Sequence, residues 1–69
     1  MDLKIKKYMI DVKGGEWFIY DNKLYRKINI DIDYHWVYCV NDNDILKFVP
    51  TSGYATELCE MVNISIHKT

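Results

Sequence analysis

The stretch Leu24-Tyr25-Arg26-Lys27-Ile28-Asn29-Ile30-Asp31-Ile32 shows the clearest alternation in the chain. Its apolar residues recur at every second position, with Arg26 as the exception. Because successive side chains of a strand point to opposite faces, this pattern predicts a strand with one face on a core and the other in water. The predicted core side is Leu24, Ile28, Ile30 and Ile32, and the predicted solvent side is Tyr25, Lys27, Asn29, Asp31 and Asp33.

Further strands are predicted on both sides of this stretch. Gly14-Gly15, Asp21-Asn22-Lys23 and the run 41–44 are turn sequences, since Gly, Asn and Asp tolerate left-handed backbone. The predicted strands are 3–12, 16–20, 24–32, 34–40, 45–49 and a last one containing Val62, Ile64 and Ile66. For the segment 54–61 two assignments remain, one short helical turn or the residues that lead into the last strand.

The composition favours a sheet over helices. The chain has 69 residues, of which 49% are hydrophobic, and β-branched and aromatic residues dominate while alanine occurs once. Short strands with tight turns predict a single all-β domain over residues 1–69. We expect a five- to six-stranded antiparallel barrel or rolled sheet of SH3-like type, with an OB-like barrel as the alternative. A single core of this size supplies no more than about 3–5 kcal/mol of stability. The sequence therefore leaves open whether the chain forms a homodimer.

The charge is small in total but uneven along the chain. The net charge is −1, which disfavours a general nucleic-acid binder. Residues 1–30 contain seven cations and four anions, whereas residues 31–69 contain two cations and six anions. These charged residues either form an ordinary solvated surface or bind a partner that contacts the positive or the negative part of the chain.

The sequence predicts a cytoplasmic protein. No apolar run is long enough to span a membrane, and the first residues lack the apolar region of a signal peptide. Thiols stay reduced in the cytosol, so Cys39 and Cys59 are interpreted as buried small hydrophobes and not as a disulfide.

Few residues are suited to catalysis or metal binding, and we expect neither enzymatic activity nor a bound cofactor. Asp31, Asp33 and His35 share the parity of one strand face, which makes them weak metal candidates beside the simpler interpretation of a solvated ridge. The run 42–44 resembles the start of a calcium loop, but the loop fails because Lys47 and Gly53 occupy required positions. Neither cysteine has the electropositive setting that a nucleophilic thiol needs.

The aromatic residues are the strongest functional feature. There are more Trp and Tyr side chains than a core of this size can hide, and their polar tips favour partial exposure. Exposed Trp and Tyr are typical of protein interfaces and also of platforms on which bases stack, while covering a thin core is the plainer alternative. The predicted partner-binding residues are Trp17, Tyr20, Tyr25, Arg26, Lys27, Trp36 and Tyr38.

Residues 15–66 resemble a loose pattern in small accessory proteins of tailed bacteriophages. The matching segments are Gly15-Glu16-Trp17-Phe18, Leu24-Tyr25-Arg26-Lys27-Ile28, Val37-Tyr38-Cys39-Val40-Asn41, Ile45-Leu46-Lys47-Phe48 and Glu60-Met61-Val62-Asn63-Ile64. The resemblance implies a small β-barrel with a non-enzymatic role in the host cytoplasm. On that basis the first functional hypothesis is a module that binds and inhibits a host or defence protein, or engages a phage protein. The alternative is a single-stranded nucleic-acid or nucleotide binder.

Overall fold

Six strands form one antiparallel sheet in the structure, a computed structural model that describes residues 5–62. They are β1 (Lys6–Tyr8), β2 (Trp17–Tyr20), β3 (Lys23–Ile30), β4 (His35–Cys39), β5 (Asp44–Phe48) and β6 (Leu58–Val62). Their order across the sheet is β1-β6-β2-β3-β4-β5. No ladder within the described residues joins the edge strands β1 and β5. The predicted all-β class with six antiparallel strands is confirmed, as an open sheet and not as a closed barrel.

The hairpin between β2 and β3 fixes the register of the sheet. Asp21 and Asn22 have φ angles of 52° and 61°, the left-handed backbone that a two-residue hairpin turn requires. Asx residues accept this conformation more readily than other non-glycine residues. The turn places Tyr20 opposite Lys23 and Phe18 opposite Tyr25. The hairpin predicted at this position is therefore present.

Two short 3-10 turns cover one face of the sheet. The first, Met9–Asp11, follows β1 directly, so the strand predicted over 3–12 ends at Tyr8. The second, Gly53–Thr56, precedes β6, so the open segment 54–61 contains both a turn and the start of a strand. The Met9 amide donates to the Glu57 carbonyl at 2.8 Å and ties the two turns together. Ile64 and Ile66 lie outside the described residues. Across residues 5–62 no helix has the length and apolarity to cross a membrane.

The core lies between the covered face of the sheet, here called the inner face, and these two turns. Its members are Met9, Val12, Phe18, Val37, Phe48, Ala55 and Cys59. The opposite, solvent-facing side of the sheet is called the outer face. Cys39 and Cys59 are both buried and unbridged, which confirms the interpretation of the two thiols.

The predicted assignment of faces in β3 is wrong. Lys27 is fully buried on the inner face, whereas the isoleucines assigned to the core are exposed: Ile28 at 45%, Ile30 at 48% and Ile32 at 88%. The reason is the hairpin register, which puts Tyr25 beside buried Phe18 and therefore turns Lys27 inward as well. A bulge between Lys27 and Asn29 then breaks the alternation, and β3 ends at Ile30.

Candidate functional site

The outer face carries a row of aromatic and cationic side chains across four neighbouring strands. Trp17 of β2 is paired with Arg26 of β3, Arg26 with Tyr38 of β4, and Tyr38 with Ile45 of β5. Paired residues on one face of adjacent strands have their Cβ atoms about 5 Å apart, so these four side chains form a continuous band. Arg26 and Ile45 are exposed, and Trp17 and Tyr38 are half-buried.

The second tryptophan, Trp36, lies on the same face of β4, two residues before Tyr38. Trp36 of β4 is paired with Lys47 of β5. The Lys47 Nζ atom is 5.1 Å from the ring centre of Trp36 and 4.1 Å from that of Tyr34, so the ammonium lies against both rings. We define the outer aromatic face as Trp17, Arg26, Tyr34, Trp36, Tyr38 and Lys47.

Both cations of the outer aromatic face lie over tryptophan rings. The Arg26 Cζ atom is 5.3 Å from the ring centre of Trp17, and Lys47 has the corresponding contact with Trp36. Each such cation–π contact at an exposed site contributes about 0.5–1 kcal/mol and holds the side chain in one orientation. The Tyr38 hydroxyl donates to the Asn43 side-chain carbonyl and is fixed as well. These side chains are thus positioned before any partner arrives.

The structure divides the seven predicted partner-binding residues between two faces. Trp17, Arg26, Trp36 and Tyr38 lie together on the outer aromatic face. Tyr20 and Tyr25 lie on the inner face, where Tyr25 stacks on Phe18 with ring centres 5.5 Å apart. They line a groove at one end of the molecule instead of joining the other four. Lys47 and Tyr34 were missed, since the contacts of Lys47 with the Trp36 and Tyr34 rings depend on a register that the sequence does not specify.

Lys27 is placed in the core and not at a surface. Its ammonium donates to the Met9 carbonyl at 2.7 Å and lies 5.1 Å from the ring centre of Phe48. Burial lowers the pKa of Lys27 to about 8, because the charged form loses its hydration. The same residue lies near His35, whose pKa is lowered by burial and then by the positive charge of Lys27. A surface role for Lys27 is therefore inconsistent with its position.

The weak metal candidates do not converge. Asp31 and Asp33 are exposed in the connection between β3 and β4, whereas His35 is buried on the inner face and stacks on Phe48 at 5.1 Å. The expected shared strand face is absent because β3 ends before Asp31. Among residues 5–62, no group of three His, Cys, Asp or Glu side chains is arranged to hold a metal ion.

The Cys59 thiol is not activated by its surroundings. It is almost fully buried within the core, and burial raises its pKa to about 11. The positive charge of Lys27 acts in the opposite direction without offsetting the burial. At neutral pH the thiol is protonated, and the thiolate is the form that acts as a nucleophile.

Comparisons of the chain with protein families, with curated protein sequences and with solved structures returned no match.

Proposed function

We propose that this chain is a non-enzymatic binding module that engages a protein partner through the outer aromatic face. The observation that carries this proposal is the clustering of Trp17, Arg26, Trp36 and Tyr38 on one solvent-facing surface. Trp, Tyr and Arg are the three residue types that dominate binding hot spots. Their long, rigid or pre-oriented side chains lose little conformational freedom when a partner packs on them.

The charge of this face indicates the kind of surface it suits. Arg26 and Lys47 are its charged members, and both are exposed cations. Complementary charges steer and orient a complex, so the favoured partner presents carboxylates around an apolar patch. Following the phage resemblance, we propose that this partner is a host protein. The module would inhibit that protein by covering one of its functional surfaces.

The test is affinity purification of the tagged chain from host lysate, followed by native mass spectrometry. The expected result is a stoichiometric protein partner, and the same spectrum gives the number of copies of this chain. Replacing Trp36 by alanine is then expected to weaken the complex about tenfold, because a large aromatic ring of the outer aromatic face is lost.

Two controls test whether the loss of affinity is specific to the outer aromatic face and not due to unfolding. Tyr54→Ala removes an exposed aromatic residue away from the outer aromatic face and is expected to leave affinity unchanged. Thermal unfolding of both variants shows that each is folded. Equal losses of affinity in the two variants, or none in Trp36→Ala, would contradict a partner on this face.

A single-stranded nucleic acid is the second candidate, favoured by the two cations that lie over tryptophan rings. Base stacking on aromatic side chains combined with phosphate contacts is how such strands are bound. This candidate predicts binding of a short oligothymidine at low salt, with affinity that falls steeply as salt is added. Absence of binding in fluorescence anisotropy at low salt would eliminate it.

A further inference from the structure

A groove opens at one end of the inner face, between the β2–β3 turn and the β4–β5 turn. Its volume is about 500 Å³, within the range of small-molecule sites. We define the acidic groove by five of its lining residues: Tyr20, Asp21, Tyr25, Asp44 and Tyr54. Ile45 of the outer face lies at its edge, but no member of the outer aromatic face lines the groove, so its role is separate from the function proposed above.

Aromatic rings form the walls of the acidic groove. The rings of Tyr20 and Tyr25 have centres 6.1 Å apart and planes inclined by 59°, so the two rings contact each other and together form one side of the groove. Tyr54 contributes a third ring from the second 3-10 turn and is 42% exposed. Burial raises the pKa of both Tyr20 and Tyr25 above the ordinary value of 10.0, so both phenols are neutral at physiological pH, as an unperturbed tyrosine also is. Neutral aromatic faces carry negative partial charge and attract cations.

The acids of the groove are only partly neutralised. The Lys23 Nζ atom is 2.7 Å from Asp42 Oδ2, and this ion pair joins the two hairpin turns. Asp21 and Asp44 are exposed and make no ion pair within the described residues. Glu57 lines an adjoining hollow together with Tyr54 and contributes a further carboxylate nearby. The mouth therefore has an excess of negative charge beside the exposed ring of Tyr54 and the half-buried rings of Tyr20 and Tyr25.

We propose that the acidic groove binds a small organic ammonium cation. The cation would lie against the tyrosine rings, with its charge balanced by Asp21 and Asp44. An anion is disfavoured because the same carboxylates repel it. A purely apolar ligand would cover carboxylates without offering them a partner, which carries a desolvation cost.

The first test is a titration with choline, followed through the backbone amide signals of the ¹⁵N-labelled chain by NMR. Dimethylbutanol, the uncharged carbon isostere of choline, is the matched ligand control. We expect saturable shifts around Asp21, Tyr25, Asp44 and Tyr54 with choline, and much weaker ones with the isostere. Equal shifts with both ligands, or shifts spread over the whole surface, would overturn the proposal.

Variants then test the two kinds of contact. Asp44→Asn and Tyr54→Ala are each expected to weaken choline binding about two- to fivefold, the range for one exposed charge pair or one cation–π contact. Asp33→Asn, an exposed aspartate outside the groove, is the matched control and should have no effect. Lys23→Gln frees Asp42 and is expected to strengthen binding by a similar factor. Unchanged affinity in Asp44→Asn and Lys23→Gln would show that groove charge has no part in binding.

Trp36→Ala separates this proposal from the proposed function. It alters the outer aromatic face and is expected to leave choline binding unchanged. Loss of choline binding in this folded variant would place the ligand on the wrong face and contradict the groove assignment.

Discussion

Replacing Lys27 by methionine is expected to raise the free energy of unfolding at pH 7 by about 1–3 kcal/mol. The lysine side chain is fully buried, and no carboxylate within the described residues pairs with its ammonium. Methionine has a similar length and no charge, so it fills the same space without the desolvation penalty. The hydrogen bond to the Met9 carbonyl is lost, but that oxygen still accepts from the Val12 amide at 3.3 Å.

The pH dependence of stability identifies the cause. The pKa of Lys27 is about 8 in the folded chain, compared with its ordinary value of 10.5. Between these values the unfolded chain binds more protons, so the Lys27 contribution makes stability rise with pH from about 8 to 10.5. The total is on the order of 3 kcal/mol. The advantage of Lys27→Met should therefore shrink across this window, as measured by urea unfolding at a series of pH values.

Cys59 has the opposite effect in an overlapping window. Its pKa is raised from 9.0 to about 11, so the folded chain binds more protons there and stability falls as pH rises. Taking the difference between the Lys27→Met variant and the unaltered chain removes most of this contribution. Lys13→Met, at an exposed position, is the matched control for removal of a lysine charge and should change the free energy of unfolding at pH 7 by no more than about 0.5 kcal/mol. A loss of stability in Lys27→Met at pH 7 would mean that the ammonium contacts outweigh its desolvation.

The sequence predicted the class of fold correctly because that class depends on composition and turn chemistry. Asp21-Asn22 is a strong local signal for a tight hairpin, and it is found in the left-handed backbone expected of it. The predicted faces of β3 are wrong because side-chain polarity alone does not determine which residues of a strand are buried. Lysine carries a long apolar stem, and in this register Lys27 occupies a core position near Phe18 and Val37 on the neighbouring strands.

The candidate site could be predicted only in part for a related reason. Trp17, Arg26, Trp36 and Tyr38 belong to three different strands, and their proximity depends on pairings between strands. Residue type alone therefore placed Tyr20 and Tyr25 in the same set, although they lie on the opposite face. The Trp36–Lys47 pair depends on the β4–β5 register, which no local pattern in the sequence specifies.

Replacing Phe48 by alanine is expected to lower the free energy of unfolding by about 3–5 kcal/mol. Phe48 is 3% exposed and belongs to the core, where three further side chains lie around its ring. His35 stacks on it with ring centres 5.1 Å apart, Tyr54 lies at 6.5 Å, and the Lys27 ammonium lies over its face. In a chain of this size that loss is comparable to the whole stability, so circular dichroism should show a largely unfolded protein.

Phe48→Leu keeps the side chain apolar and tests the contact with Lys27 in a folded protein. Lost packing is expected to lower the free energy of unfolding by less than about 1.5 kcal/mol. Loss of the cation–π contact is expected to lower it further. In the Lys27→Met background the second contribution disappears, so a double-mutant cycle should give a coupling of about 0.5–2 kcal/mol. Additive effects would mean that the ring only fills space.

The pKa of Lys27 in Phe48→Leu distinguishes two roles of the ring. An aromatic face stabilises the charged ammonium, so replacing it by an aliphatic group should move the pKa of Lys27 below about 8. If the ring acted mainly by excluding water, the smaller side chain would admit solvent and the pKa would rise toward its ordinary value. NMR titration of the Lys27 side chain measures this directly. A downward shift would establish that the core holds its buried cation by direct attraction to Phe48.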